Sequence, residues 1–159
     1  MKKFIFILIL SLIYQNISFA LIEVDITRGN LDPLPIAVSP LHVESKSENF
    51  KLEDEKEINL GLEISTIVAN NLKRSGLFNP LNRESFVQKP DIAHLKPRFE
   101  DWRLIKAQAL ITGKILLINE KLRVEFRLWD VVAEKEMLAL AFTTIPNNWR
   151  RVGHMTVSY

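Results

Sequence analysis

Cysteine is absent from all 159 residues, which excludes disulfides and a start anchored through a lipidated cysteine. A secreted domain of that kind must be held together by its apolar core. Glycine is scarce, with five copies, and no glycine-rich phosphate-binding loop occurs. Histidine is scarcer still: His42, His94 and His154 lie far apart in the chain, and none has ligand spacing. Zinc sites need three or four converging ligands, so each is read as a solvated side chain, and no metal or cofactor is expected. Neither Gly-x-Ser-x-Gly nor His-Glu-x-x-His is present. Trp129-Asp130 has no repeat around it and is not a propeller-blade signature. The charge is nearly balanced, 21 basic against 19 acidic residues, and leaves no electrostatic footprint for nucleic acid. The one acidic run, Asp54, Glu55 and Glu57, stands at a helix start, where acids suit the helix dipole. An active site finds no support in these residues.

What is present begins with an address. Lys2 and Lys3 precede an apolar run over residues 4–13, interrupted only by Ser11, and Ser18-Phe19-Ala20 offers small residues where a signal peptidase reads. This is the build of a secretory signal. The run is about half of the roughly 20 residues that span a bilayer. Cleavage after Ala20 is therefore expected rather than retention as an anchor, and the mature chain is expected not to span a membrane. Without Lys2 and Lys3 the charges balance, and residues 21–159 suffice for one domain with a real core.

The chain is organised around a helix over residues 58–75. At about 100° per residue, Ile58, Leu60, Leu62, Ile64, Ile67, Val68, Ala69 and Leu72 share one broad arc. Asn59, Glu63, Thr66, Asn70, Lys73 and Arg74 share the opposite one. Such a helix must lie flat on a core. Gly61 sits inside the apolar arc, where it costs about 1 kcal/mol against Ala, and close backbone packing is the expected compensation. Gly76 is placed for the left-handed conformation that ends a helix, with Leu77 folding back onto Leu72, and Asp54 is placed to cap the start. Pro80 forces Asn79 out of the helical region, and residues 84–87 are expected to run as a short strand.

Around this helix the pattern is mostly β. Ile22, Val24 and Ile26 alternate with Glu23, Asp25 and Thr27, the period of a half-exposed strand, until Arg28-Gly29-Asn30 breaks it. Two readings stand side by side: an ordinary edge strand, or a mobile tail that adds to a partner's sheet. Residues 34–39 are short, apolar and β-branched, as in a buried strand, and Pro40 ends it. Residues 42–53 and 88–96 read as loops. Pro97 is placed in the first turn of a second helix carrying Phe99, Trp102 and Ile105. A three-stranded meander follows over residues 109–118, 122–129 and 137–144, with turns at 119–121 and 131–134. In its middle strand Leu122, Val124, Phe126 and Leu128 alternate with Arg123, Glu125, Arg127 and Trp129, giving one buried and one wet face. Asn147 or Asn148 is placed to cap a last helix from Trp149.

Several runs together resemble the N-terminal domain of the Tol-Pal system protein TolB family. Leu72-Lys73-Arg74-Ser75-Gly76-Leu77-Phe78-Asn79-Pro80-Leu81 is similar to that family's helix ending in Leu-x-x-Ser-Gly-x-Phe. Pro35-Ile36-Ala37-Val38, Trp102 with residues 109–113, Phe126-Arg127-Leu128-Trp129-Asp130, and Trp149-Arg150-Arg151 with Gly153-His154 match in order. Each motif alone is weak; five in order behind a secretory signal are specific, and they cover nearly all of the mature chain.

The resemblance implies an α/β fold: a three-layer α/β/α-like domain over residues 33–159, with a mixed, about five-stranded sheet like that of anticodon-binding domains. It implies a periplasmic, non-enzymatic role in outer-membrane integrity and envelope constriction during cell division. Family members carry this domain ahead of a six-bladed β-propeller that contacts the peptidoglycan-associated lipoprotein Pal. Their mature N-terminal segment contacts the C-terminal domain of the inner-membrane protein TolA. Here that segment lies in the tail 21–32 and is Leu21, Ile22, Glu23, Val24, Asp25, Ile26, Thr27, Arg28, Gly29 and Asn30, which favours the partner-binding tail. The sequence departs from the family at its end. It stops at Tyr159, and Met-Thr-Val-Ser-Tyr lacks the Ala-, Asp- and Lys-rich character of the family's continuing helix. A last helix cut short, no propeller, a partly uncovered sheet prone to association, and Pal contact confined to full-length relatives are the expectations. The rival from another class, a small secreted α/β enzyme, requires His42, His94 and a carboxylate to meet in one pocket.

Overall fold

The computed structural model describes residues 32–44 and 58–156. Its strands are β1 (Leu34–Val38), β2 (His42–Val43), β3 (Phe78–Pro80), β4 (Ala109–Ile118), β5 (Lys121–Asp130) and β6 (Lys135–Thr144). The helices are α1 (Leu60–Arg74), α2 (Pro90–Ala93), α3 (Phe99–Leu104) and α4 (Trp149–Met155). The strands form one mixed sheet in the order β3-β1-β4-β5-β6, with β2 also beside β4. β1 runs parallel to both β3 and β4, β2 parallel to β4, and β4, β5 and β6 form the antiparallel meander. The sheet thus has six strands rather than about five. The addition is His42–Val43, within a stretch read as loop, because two residues are too few to show a period.

Alternation along the strands feeds two cores. Ile36 and Val38 of β1, Ile111 of β4 and Phe126 of β5 face α1 and α4, where they meet Ile64, Val68, Leu72, Trp149 and Val152. Ala37, Leu110 and Trp129 face the other way, against Ala93, Phe99 and Trp102 of α2 and α3. Helices on both faces of a mixed sheet make the expected three layers.

Helix α1 starts at Leu60 because Asn59, not Asp54, caps it: the Asn59 carboxamide oxygen accepts from the Leu62 N–H. Its buried stripe is Leu60, Gly61, Ile64, Ser65, Val68 and Leu72. Leu62, expected on that stripe, is 38% exposed. Ser65 is buried in place of an apolar residue, and its hydroxyl is satisfied, donating to Leu62 O and accepting from Arg83. Gly61 has the close backbone approach that its sequence position predicts. Leu41 N–H donates to Gly61 O at 3.1 Å, and a Cβ on Gly61 would overlap the Leu41 carbonyl.

Gly76 takes φ 73°, as a left-handed helix stop requires, but Leu77 does not return to Leu72. Ser75 Oγ donates to Leu72 O and accepts the Leu77 N–H, and the Leu77 side chain points outward, 64% exposed. The strand expected at 84–87 lies earlier, at Phe78–Pro80. Pro80 is tolerated there because β3 ends the sheet and needs no donor on its far side. Asn82 then accepts from Glu84 N–H and opens a 3-10 turn, Arg83–Ser85. Arg83 reaches back to α1, with Nη1 2.8 Å from Thr66 Oγ1 and Nη2 3.1 Å from Ser65 Oγ. Burial lowers the Arg83 pKa and Glu63 opposes that shift; the guanidinium stays charged.

Pro97 lies just before α3 rather than in its first turn, and α2 occupies part of the stretch read as loop. Buried Gln88 fastens this region: its Oε1 accepts from Arg98 N–H and from the Trp102 indole N–H. Asn119 and Glu120 turn the β4–β5 hairpin with φ of 50° and 61°, the two-residue geometry that suits strand twist. On β5 the wet face is limited to Arg123, Glu125 and Arg127. Trp129, expected there too, is 8% exposed and packs edge-on to Phe99 at 5.8 Å, because α3 covers that end of the face. Asn148 stands at the cap position of α4 without a side-chain bond, after a 3-10 turn at Pro146–Asn148.

Candidate functional site

Leu21, Ile22, Glu23, Val24, Asp25, Ile26, Thr27, Arg28, Gly29 and Asn30, the segment expected to bind a partner, lie outside the described residues, as does Asp54. The description opens at Asp32 and Pro33 and enters β1 at Leu34. β1 is hydrogen-bonded on both sides, to β3 and to β4, so no partner strand can add to it. Strand addition, where it occurs, belongs to residues before β1 or to the sheet ends, β3 and β6. β6 is the longer end. No charge occurs from Met137 to Thr144, and Met137 and Leu138 are 63% and 43% exposed. Beside it is an apolar cavity of about 140 Å³ whose walls include Leu72, Phe78, Leu128, Leu138, Leu140 and Thr156.

The histidines are arranged differently from their spacing. His42 and His94 stand far apart in the sequence, where each reads as a solvated side chain, yet their rings stack, with centroids 4.3 Å apart and planes 5° apart. No local sequence signal foretells this, because β2 and α2 are brought together only by packing around β4. His94 Nδ1 lies 3.0 Å from Pro90 O. His154 belongs to the other face, on α4, with Nδ1 3.1 Å from Asn71 Nδ2. The pair stacks ring on ring rather than converging on a shared ligand, and neither ring lines the apolar cavity. Among the described residues no group of three or more His, Cys, Asp or Glu is placed to hold a metal ion. Among them, too, no helix is long and apolar enough to cross a membrane.

A model of the TolB amino-terminal domain matches residues 22–137. The Tol-Pal system protein TolB of Pelagibacter ubique is 66% identical over 151 residues, covering 94% of this chain and 34% of that protein. The chain therefore spans about a third of the length of that curated relative. The crystal structure of TolB from Acinetobacter baumannii is similar in fold, with a TM-score of 0.57 at 20% identity over 79% of this chain and 27% of that one. A lipoprotein of Neisseria meningitidis gives 0.53 at 18% identity over 79% and 93% of the two chains; both likenesses speak to fold alone. The matched family model and the close relative, on top of the three-layer sheet, settle the kinship: the chain belongs to the TolB amino-terminal domain family of the Tol-Pal system.

Proposed function

We propose that the mature chain is a periplasmic, non-enzymatic adaptor of the Tol-Pal system whose segment 21–30 engages the C-terminal domain of TolA by strand addition. The observation that carries this reading is the alternation of Ile22, Val24 and Ile26 with Glu23, Asp25 and Thr27 at the start of the stretch that matches this family. An alternating segment can offer its backbone to a partner's sheet edge and one apolar row to its surface. The secretory signal supports the compartment. Pal contact belongs to the part of longer relatives that this chain does not span, and the role in envelope integrity and division is exercised through TolA.

The test is capture of the purified TolA C-terminal domain by residues 21–159 and by residues 33–159. Capture by the first and not by the second is expected. Val24→Pro weakens capture, because proline removes a backbone donor from the added strand. Equal capture with and without the segment overturns the reading.

A further inference from the structure

β6 ends the sheet: β5 is hydrogen-bonded to it on one side, and no described strand lies on the other. An end strand keeps a row of backbone donors and acceptors for a further strand. The side chains along that row differ between its two faces. On the face of α1 and α4, Leu138, Leu140 and Phe142 stand opposite Leu128, Phe126 and Val124 of β5, and Leu138 and Leu140 also line the apolar cavity. On the other face Ala139, Ala141 and Thr143 stand opposite Arg127, Glu125 and Arg123. Of β5 and the turn beyond it, only Trp129 and Val131 join the core under α2 and α3, so this charged row is left open. Ala139, Ala141 and Thr143 are exposed and too small to screen the charges behind them. The Arg127 guanidinium reaches across to β6, its Nε 3.7 Å from Glu136 Oε2, while Arg123 Nε is 2.8 Å from Glu125 Oε1 along β5. Both arginine side chains are 41% exposed, and a guanidinium has more donors than one such contact uses.

We propose that the outer edge of β6 is a docking site for an extended segment of a partner protein whose residues read acid–apolar–base–apolar–acid. The backbone of such a segment completes the edge as one more strand. Alternate residues of a strand point to opposite faces, so its apolar residues fall beside Leu138, Leu140 and Phe142 and extend the wall of the cavity. Its charged residues fall on the other face, level with Ala139, Ala141 and Thr143. From there to β5 is two strand spacings, about 10 Å, which a carboxylate and an arginine side chain span together over an alanine. Acids level with Ala139 and Thr143 meet Arg127 and Arg123, and a base level with Ala141 meets Glu125. The order is the same read from either end, so it fits an added strand of either direction. A second copy of β6 lacks this complement, because it carries no charge from Met137 to Thr144.

The test uses the mature chain and two fluorescently labelled peptides with blocked ends, Val-Glu-Val-Lys-Val-Glu-Val and its charge inverse, Val-Lys-Val-Glu-Val-Lys-Val. Anisotropy titrations at low ionic strength are expected to give the first peptide about tenfold or more the affinity of the second, with the gap closing as salt is added. Its binding is expected to slow hydrogen exchange at alternate amides of β6, those that turn to the added strand. Arg123→Glu combined with Arg127→Glu is expected to reverse the preference. Equal affinity for the two peptides, or binding that leaves the β6 amides unprotected, overturns the proposal. A chain that binds neither peptide overturns it as well, whether or not it associates with itself. Should the reversed variant not fold, the comparison of the two peptides on the unmodified chain decides alone.

Discussion

The indole N–H of Trp129 donates to the hydroxyl of Thr112, 2.9 Å away, with both residues buried on the face that α3 covers. This bond joins β5 to β4 on the side away from the larger core. Thr112→Val keeps the shape and leaves the indole donor without its partner, at a cost of about 1–3 kcal/mol. Adding Trp129→Phe removes the orphaned donor, so the double variant should lose less than the sum of the two single losses. Denaturant unfolding of all four proteins measures this, and strict additivity would show that the bond contributes nothing.

Two glycines should fail for different reasons. At Gly61 an added Cβ meets the Leu41 backbone, which cannot rotate away as a side chain would. Gly61→Ala is expected to cost at least the roughly 1–3 kcal/mol of ordinary overpacking. At Gly76 nothing lies within 4 Å of an added Cβ, and only φ 73° opposes it, which costs about 1–2 kcal/mol. Thermal melts should rank Gly61→Ala as the more damaging; the reverse order would mean that the Leu41 contact is misplaced.

Leu72 and Leu77 flank the helix stop with opposite burial, 6% against 64% exposed. Leu72→Ala should cost about 2–5 kcal/mol and enlarge the cavity that Leu72 already lines. Leu77→Ala should stay within about 0.5 kcal/mol of the parent. Similar losses at both sites would restore the folded-back contact that the exposed Leu77 contradicts.

The uncharged run from Met137 to Thr144 lies on the end strand of the sheet. Natural sheets usually blunt such edges with charge. Residues 21–159 are therefore expected to associate as concentration rises, and Met137→Lys to suppress it. Sedimentation velocity over a concentration series decides the matter, and a parent chain that stays monomeric throughout refutes it.

Much of the sheet is legible in the sequence because its signals are local. β4, β5 and β6 lie within two residues of their expected bounds, since the apolar runs, the alternation in the middle strand and the turn at Asn119-Glu120-Lys121 declare a meander without help from distant parts of the chain. β3 is not legible: Phe78-Asn79-Pro80 reads as the exit of a helix, and only its pairing with Leu34, Pro35 and Ile36 makes it a strand. Asn59 lost to Asp54 as the expected cap because a polar stretch offers several cap residues and the buried stripe alone fixes which is used. Ser65 is not legible as a core residue because the hydroxyl's partner, Arg83, comes from a turn that the pattern does not place. For the candidate site, the alternation from Ile22 to Thr27 is a reading of the sequence alone, because those residues lie outside the described ones. The His42–His94 stack leaves no trace in spacing, because stacking is set by the fold and not by the intervening residues.

The position of β1 between two parallel neighbours has a consequence for the order in which the chain acquires its structure. Ile36 pairs with Pro80 on one side and Ala109 on the other, so β1 cannot close its ladders until distant segments have arrived. Long-range parallel pairing is slow, whereas the β4–β5–β6 meander needs only short loops. The meander is expected to form the folding nucleus, with β1 docking late. Stopped-flow measurements should then find that Phe126→Leu slows folding, while Ile36→Val chiefly speeds unfolding. A protein built this way leaves β1 without its ladders until its trailing half has formed, so its first described strand is the last to be locked in place.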